Sequence, residues 1–299
     1  MDKCVKISLL LCLCLFSCWT GVKAAPDADE MPAFAIMKKY EEELPYMDFF
    51  EPYTVCILAL NELEKGRMQA QIKNYIDWYF AHLNYPDKHE LTGTIYDYVI
   101  RDEKEYATRK YNSIDGYAGV FLHLLNKYVT VTGDVTIIKN NWQKIEDIAY
   151  TIVYMQDEKD GLTRALPTTD QKYLRNNCEA YGGIRAYNQL RSKAGMDKSK
   201  FYENKEAELK HAVLELYDYS DNSFIWVIED GRSHGSDWNT YYPDAYAQLF
   251  PIYYGILDSN RTLAENFWYN FNLHHGQAVH QFPIEQRLVY ELTKKKLLG

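Results

Sequence analysis

Four acidic residues recur along the chain at nearly even spacing. Glu51, Asp115, Glu179 and Asp244 are separated by 64, 64 and 65 residues. Each heads a similar string: Glu51-Pro52-Tyr53, Asp115-Gly116-Tyr117, Glu179-Ala180-Tyr181 and Asp244-Ala245-Tyr246, followed by an apolar run. A fixed period of this length marks a repeated supersecondary unit, and equivalent residues of stacked repeats fall on one rim. Carboxylates gathered on a rim suit acid/base chemistry. Neighbouring like charges raise one pKa above another, so a protonated acid can stand beside an ionised base.

Taken singly, an acid at a helix start also caps free amides and complements the macrodipole, worth roughly 0.3–1 kcal/mol. Glu51, with Pro52 at the first helical position, reads mainly as such a cap, and Glu179 is balanced between the two roles. Asp115 and Asp244 read as functional. Ser113 can cap in place of Asp115, and Tyr241-Tyr242-Pro243 brings an aromatic surface up to Asp244. The expected principal pair is therefore Asp115 and Asp244, facing each other with Glu179 between them.

The densest polar stretch, Glu229 to Asn239, adds His234, Asp237, Trp238 and Asn239 beside Asp244. Asp237 is expected to support the pair and to bind hydroxyls. Trp238, Tyr241, Tyr242 and Tyr117 are expected to give stacking surface, with His234 and Asn239 as polar contacts. His274, His275 and His280 have no recognised ligand spacing, so neither metal nor cofactor is expected. The chain has no Gly-rich phosphate loop, Ser nucleophile elbow or CxxC motif, which disfavours nucleotide, acyl-transfer and redox chemistry.

The elements that must position these residues are helical. Val120, Phe121, Leu124, Leu125, Tyr128 and Val129 keep a helical stripe, as do Ile137 to Val153, with a turn at Thr132-Gly133-Asp134 between them. The same pattern predicts hairpins pairing 51–65 with 69–84, 114–131 with 135–156, 178–193 with 198–218, and 243–257 with 260–272. Helices near 31–43 and 284–297 bring the count to about ten. Short β-like pieces are expected at 94–98, 161–165 and 223–227. The long loops fall on the acidic side, and the rung helices are rich in small residues, as inner helices of a crowded ring must be. The expected fold is all-α: an (α/α) toroid of helical hairpins with short β-like connectors, carrying Tyr53, Tyr117, Tyr181 and Tyr246 at equivalent inner positions.

The strings Asn112-Ser113-Ile114-Asp115-Gly116-Tyr117-Ala118 and Tyr241-Tyr242-Pro243-Asp244-Ala245-Tyr246-Ala247 resemble those of the six-hairpin glycosidase superfamily, and the hairpin plan from about 50 to 295 is similar. That resemblance implies a carbohydrate-active protein, foremost a glycoside hydrolase acting on a poly- or oligosaccharide. Asp115, Glu179, Asp237 and Asp244 would inherit the acid/base work, and facing carboxylates would suit the ~6.5–9.5 Å of an inverting pair. The alternatives are a non-catalytic polysaccharide-binding accessory protein and a polysaccharide lyase.

The 299 residues carry a net charge of −9 without a basic stripe, which makes nucleic acid and anionic membranes poor partners. Lys3 and Lys6 precede the apolar stretch Ile7 to Phe16, and Val22-Lys23-Ala24 ends in a cleavage-like pattern. Residues 1–24 thus read as a signal peptide and 25–299 as a single exported domain, secreted, periplasmic or cell-surface. The apolar stretch is too short for a transmembrane span. Leu15-Phe16-Ser17-Cys18 loosely resembles a lipobox, giving lipidation of Cys18 as the alternative. Of the six cysteines only Cys56 and Cys178 lie outside the signal, read as buried thiols with a disulfide between them left open.

Overall fold

The helices that start at the acidic rungs are the most deeply buried parts of the chain. The structure, a computed structural model, describes residues 31–299, so the signal 1–24 and Cys18 fall outside the described residues. Pro32–Gly299 forms one unit with a continuous core. Its inner helices are α2 (Pro52–Glu64), α4 (Ile114–Thr132), α7 (Leu174–Lys193), α9 (Phe250–Tyr253) and α11 (Ile284–Leu298). The outer ones are α1 (Pro32–Met37), α3 (Gln69–Ala81), α5 (Thr136–Asn140), α6 (Trp142–Met155), α8 (Lys200–Leu214) and α10 (Arg261–His275). Inner helices pack in the order α2, α4, α7, α9, α11, and α11 returns to α2, so the ring closes. Outer helices cover it: α3 lies on α2 and α4, α6 on α4 and α7, and α8 on α7.

Small residues let this ring form. A Cβ on Gly183 would stand 2.6 Å from Gly119 Cα, and one on Gly119 would stand 2.3 Å from the Glu179 carbonyl oxygen. The α4 and α7 backbones therefore meet where any side chain would hold them apart.

Eleven α-helices are present among the described residues, against the ten or so expected. The helix expected over 243–257 is broken. A wide π turn spans Tyr241–Ala245, Tyr242 within it is extended, and α9 resumes only at Phe250. Pro243 and Pro251 lack the amide hydrogens a continuous helix would use. The helix expected over 135–156 divides at Asn141, and the one expected over 31–43 stays α-helical only to Met37 before a 3-10 turn. The helix at 284–297 is an inner helix that closes the ring.

Connections on the rung side are long and carry the eight strands found among the described residues. β1 (Phe49–Phe50), β2 (Tyr98–Arg101) and β3 (Lys104–Ala107) form one antiparallel sheet, with Phe50 opposite Tyr98 and Val99 opposite Tyr106. β4 (Lys172–Tyr173), β7 (Val227–Glu229) and β8 (Arg232–His234) form a second sheet, and β5 (Tyr217–Asp218) pairs with β6 (Ser223–Phe224). Of the expected β-like pieces, 94–98 and 161–165 contain only single bridges at Thr94 and Thr163 before β2 begins at Tyr98. The piece at 223–227 splits between β6 and β7. The polar stretch 229–239 opens as the β7–β8 hairpin, whose turn Asp230-Gly231 has φ of 50° and 69°, as a tight two-residue turn requires.

Cys56 and Cys178 are buried free thiols. Cys56 Sγ lies 3.7 Å from the Tyr75 hydroxyl, and burial pushes its pKa up to about 12. Among the described residues no helix is long and apolar enough to cross a membrane.

Candidate functional site

The N-terminal ends of the inner helices form an acidic rim. Glu51 stands at the N-cap position of α2 in extended backbone, yet its side chain makes no cap hydrogen bond. Its carboxylate instead accepts from Asn112 Nδ2 and lies 3.4 Å from Thr54 Oγ1. The same Thr54 hydroxyl donates at 3.0 Å to Glu285, in the first turn of α11. Burial pushes the Glu285 carboxyl up and Glu51 adds to the push, while Arg175 and the Thr54 bond oppose it. Both acids line a cavity of about 280 Å³ walled by Tyr46, Phe49 and Phe50.

Deeper in the rim, Glu179 has no exposed surface. Its Oε1 accepts from the Tyr53 hydroxyl at 2.6 Å, and its Oε2 has no partner. Burial raises its pKa to about 8; Asp115 and Glu285 add to this, and Arg175 and the Tyr53 bond oppose it. Arg175, one turn earlier on α7, sits 5.4 Å over the Tyr53 ring. Burial works against its charge, but Tyr53, Glu179, Tyr246 and Glu285 outweigh that and hold it protonated.

No family model matches the chain, and no curated protein does. Among solved structures it is similar to a GH78 family rhamnosidase of Bacillus sp. GL1, with TM-score 0.57 and 13% identity over 91% of this chain and 29% of that one. It also aligns with a cellobiose 2-epimerase of Bacillus thermoamylovorans (TM-score 0.48, 11% identity, 80% of this chain and 62% of that). A GH76 α-mannanase of Bacteroides thetaiotaomicron aligns similarly (TM-score 0.48, 10% identity, 89% and 70%). The fold it shares with the rhamnosidase is an (α/α) toroid of helical hairpins. The chain spans less than a third of the rhamnosidase's length and 62% of the epimerase's, and at such identities the likeness extends to the fold alone.

Within the toroid, Asp115 and Asp244, expected as a facing pair, sit in different surroundings. Asp115 is wholly buried with both oxygens occupied: Thr163 Oγ1 donates at 2.6 Å, Gly116 N at 2.8 Å and Asn176 Nδ2 at 3.2 Å. Burial pushes it up to about 6 against those bonds. It fastens α4 to α7 and to the loop before α7, and its charge acts on Glu179. Asp244 is half-buried, and its Oδ2 accepts from the Asp237 amide at 2.9 Å. Asp237 is exposed, its Oδ1 accepting from both Asn239 N and Asn239 Nδ2 at 2.9 Å. These three residues close a turn, and the Asn239 amide holds the Asp237 carboxylate below its usual range.

The aromatic residues divide in the same way. Trp238 packs edge-on against Phe267 at 5.5 Å, with its carbonyl oxygen 2.8 Å from His275 Nε2. Tyr241 stacks on Phe282 at 3.6 Å and donates to Gln286 at 2.8 Å. Tyr242 is 53% exposed and offers a free face, its ring 5.9 Å from Tyr246. His234 is exposed on β8, 6.1 Å from Trp226. Tyr53 and Tyr117 stack at 5.9 Å, and Tyr246 acts on Tyr53 and Glu179. Tyr181 faces Arg185, Glu206 and Asp258 instead, so three of the four equivalent tyrosines share the rim.

Glu285, Asp97 and Arg175 belong to the site without having been singled out in the sequence. Glu285 repeats the acid-at-helix-start pattern but follows Asp244 by 41 residues, which breaks the period. Asp97 accepts from the Tyr117 hydroxyl at 2.8 Å, and burial pushes it up to about 7, with Glu51 adding. Nothing in its local string marks it.

A larger cavity, about 380 Å³, lies at the opposite rim and is lined by Glu64, His123, Lys127, Arg185, Lys295 and Lys296. Lys127 and Lys295 pair with Glu64, and Arg185 and Lys296 with Asp258. Lys295 and Lys296, in the last turn of α11, also complement its macrodipole, and all four cations have these ion pairs as a structural role. Burial pushes His123 down to about 4. A further cavity of about 420 Å³ holds Glu203 and Glu206 among Arg185, Arg191, Lys193 and Lys198, whereas the acidic rim sets its carboxylates against the aromatic walls Tyr46, Phe49 and Phe50.

Proposed function

We propose that this chain is a glycoside hydrolase acting on a poly- or oligosaccharide at the acidic rim, with Glu285 as general acid and Glu51 as its partner carboxylate. The observation that carries this reading is the convergence of Glu51 and Glu285 on one hydroxyl and one cavity. Glycosidic cleavage needs a protonated carboxyl at the leaving oxygen and an ionised one opposite. Glu285, raised by burial and by Glu51, suits the first role. Each acid lies within 3.4 Å of the same hydroxyl oxygen, which favours the closer separation of a retaining pair, ~5–5.5 Å, over the ~6.5–9.5 Å of an inverting one. Tyr46 and Phe49 offer aromatic surface for a sugar face. The leader-like residues 1–24 support an exported enzyme.

The test is a polysaccharide panel assayed for reducing ends and for ultraviolet-absorbing products. Reducing ends alone are expected, with retained anomeric configuration by NMR. Glu285→Gln and Glu51→Gln should each lower kcat at least ~100-fold without unfolding the protein. Absorbing products would make it a lyase. Undiminished turnover in both variants would remove the pair, and binding without any product would leave an accessory protein.

A further inference from the structure

Arg175 is poised at the rim without an ionic partner. Among the described residues no carboxylate comes within the 4.0 Å of an ion pair with its guanidinium. Its close contacts are the Tyr53 ring, 5.4 Å away, and a long 3.4 Å bond from Nε to Asn176 Oδ1. Glu179 and Glu285 act on it only at longer range, and Glu179, with its pKa near 8, is held neutral at pH 7. The Tyr246 hydroxyl, in electrostatic range of Arg175, is buried and has no partner. A buried polar group left unpaired in a native fold calls for an explanation, and a ligand is one.

Guanidinium and phenol are both donors here. The planar fork of Arg matches a carboxylate bidentately, and the Tyr53 ring beneath holds its plane. Glu285, in electrostatic range of Arg175, and Glu51 beside it would repel a dianion more than a singly charged group, which favours carboxylate over phosphate. We propose that Arg175, with Tyr246, binds the carboxylate of an acidic sugar, so that the rim takes uronic-acid-bearing saccharides. This rests on reading the rim as a saccharide site and adds its substrate class. A purely structural Arg175 would steady Tyr53 and confer no preference between acidic and neutral sugars.

The experiment measures binding, not turnover, by NMR titration of the full chain with methyl β-glucuronide, methyl β-glucoside and acetate. The glucuronide should bind about 10- to 100-fold tighter than the glucoside, as charge-assisted hydrogen bonds allow. Acetate should bind far more weakly than the glucuronide. Arg175→Lys, which keeps the charge and loses the fork, and Arg175→Gln should bring the preference below about threefold. Tyr246→Phe, which removes one hydroxyl, serves if the Arg175 variants fail to fold, and should reduce the preference about threefold to tenfold. Equal binding of both glycosides, a preference that survives these substitutions, or acetate binding as tightly as glucuronide would overturn the proposal. Glucuronide binding without hydrolysis of any substrate would retire only the hydrolase reading. Hydrolysis of neutral glycans without a glucuronide preference would retire only this one.

Discussion

Glu179→Gln removes a proton-binding site from the sealed interior of the ring while keeping an acceptor for the Tyr53 hydroxyl. The wild-type carboxyl is raised from its ordinary 4.5 to about 8. Between those values the folded protein holds a proton that the unfolded chain has released. The sign follows: the Glu179 contribution is fully present below pH 4.5 and is lost as pH rises through 8, at slightly more than 1 kcal/mol per pH unit. Across the window this amounts to roughly 3–5 kcal/mol, with no discount for solvent because the group is fully buried. The Gln variant escapes that loss but buries an amide nitrogen in place of the unpartnered Oε2, at a pH-independent cost of about 1–3 kcal/mol. Wild type should therefore be the more stable protein near pH 5 and the variant near pH 8. Urea unfolding at pH 5, 6, 7 and 8 and constant ionic strength gives the difference directly. Asp97, raised to about 7, steepens both curves alike and cancels in that difference, whereas the Asp115 charge, which adds to the Glu179 shift, is part of the effect measured. Parallel curves, or a variant that weakens relative to wild type as pH rises, would refute a protonated Glu179.

Gly183→Ala would force a methyl to within 2.6 Å of Gly119 Cα, where backbone cannot yield as a side-chain tip can. A loss of about 2–3 kcal/mol is expected in denaturant unfolding, and unchanged stability would mean that α4 and α7 do not meet there. Asp115→Asn should cost about 1–3 kcal/mol by mismatching the donors from Thr163, Gly116 and Asn176, with turnover largely kept. Lost turnover at intact stability would instead return Asp115 to the catalytic list.

Ring architecture was legible because periodicity reports helix placement. The 64-residue spacing and the apolar stripes locate the hairpins over most of their length, and the small residues around Gly119 and Gly183 mark the inner helices. Where the reading failed, a local rule overrode the period. Pro243 and Pro251 broke the fourth inner helix into a π turn and a short α9. The β2–β3 hairpin went unread because its turn, Asp102-Glu103, lacks glycine although both residues take positive φ.

What periodicity could not report is how much room each rung keeps, and that decides what an acid can do. Where α4 meets α7 at the two glycines, the close approach seals Asp115 and Glu179 and leaves them buried. Asp115 turns its oxygens to fastening, and Glu179 turns to holding a proton. At the seam where α11 returns to α2, Thr54 stands between the helices and a cavity opens beside it. There Glu51, which looked like a helix cap, makes no cap bond and meets a carboxylate from the last helix. A partner outside the 64-residue period is what a closing ring requires, since its last helix must meet its first whatever the spacing between earlier repeats. The acid/base pair proposed above therefore stands at the closure of the ring, where the repeat ends.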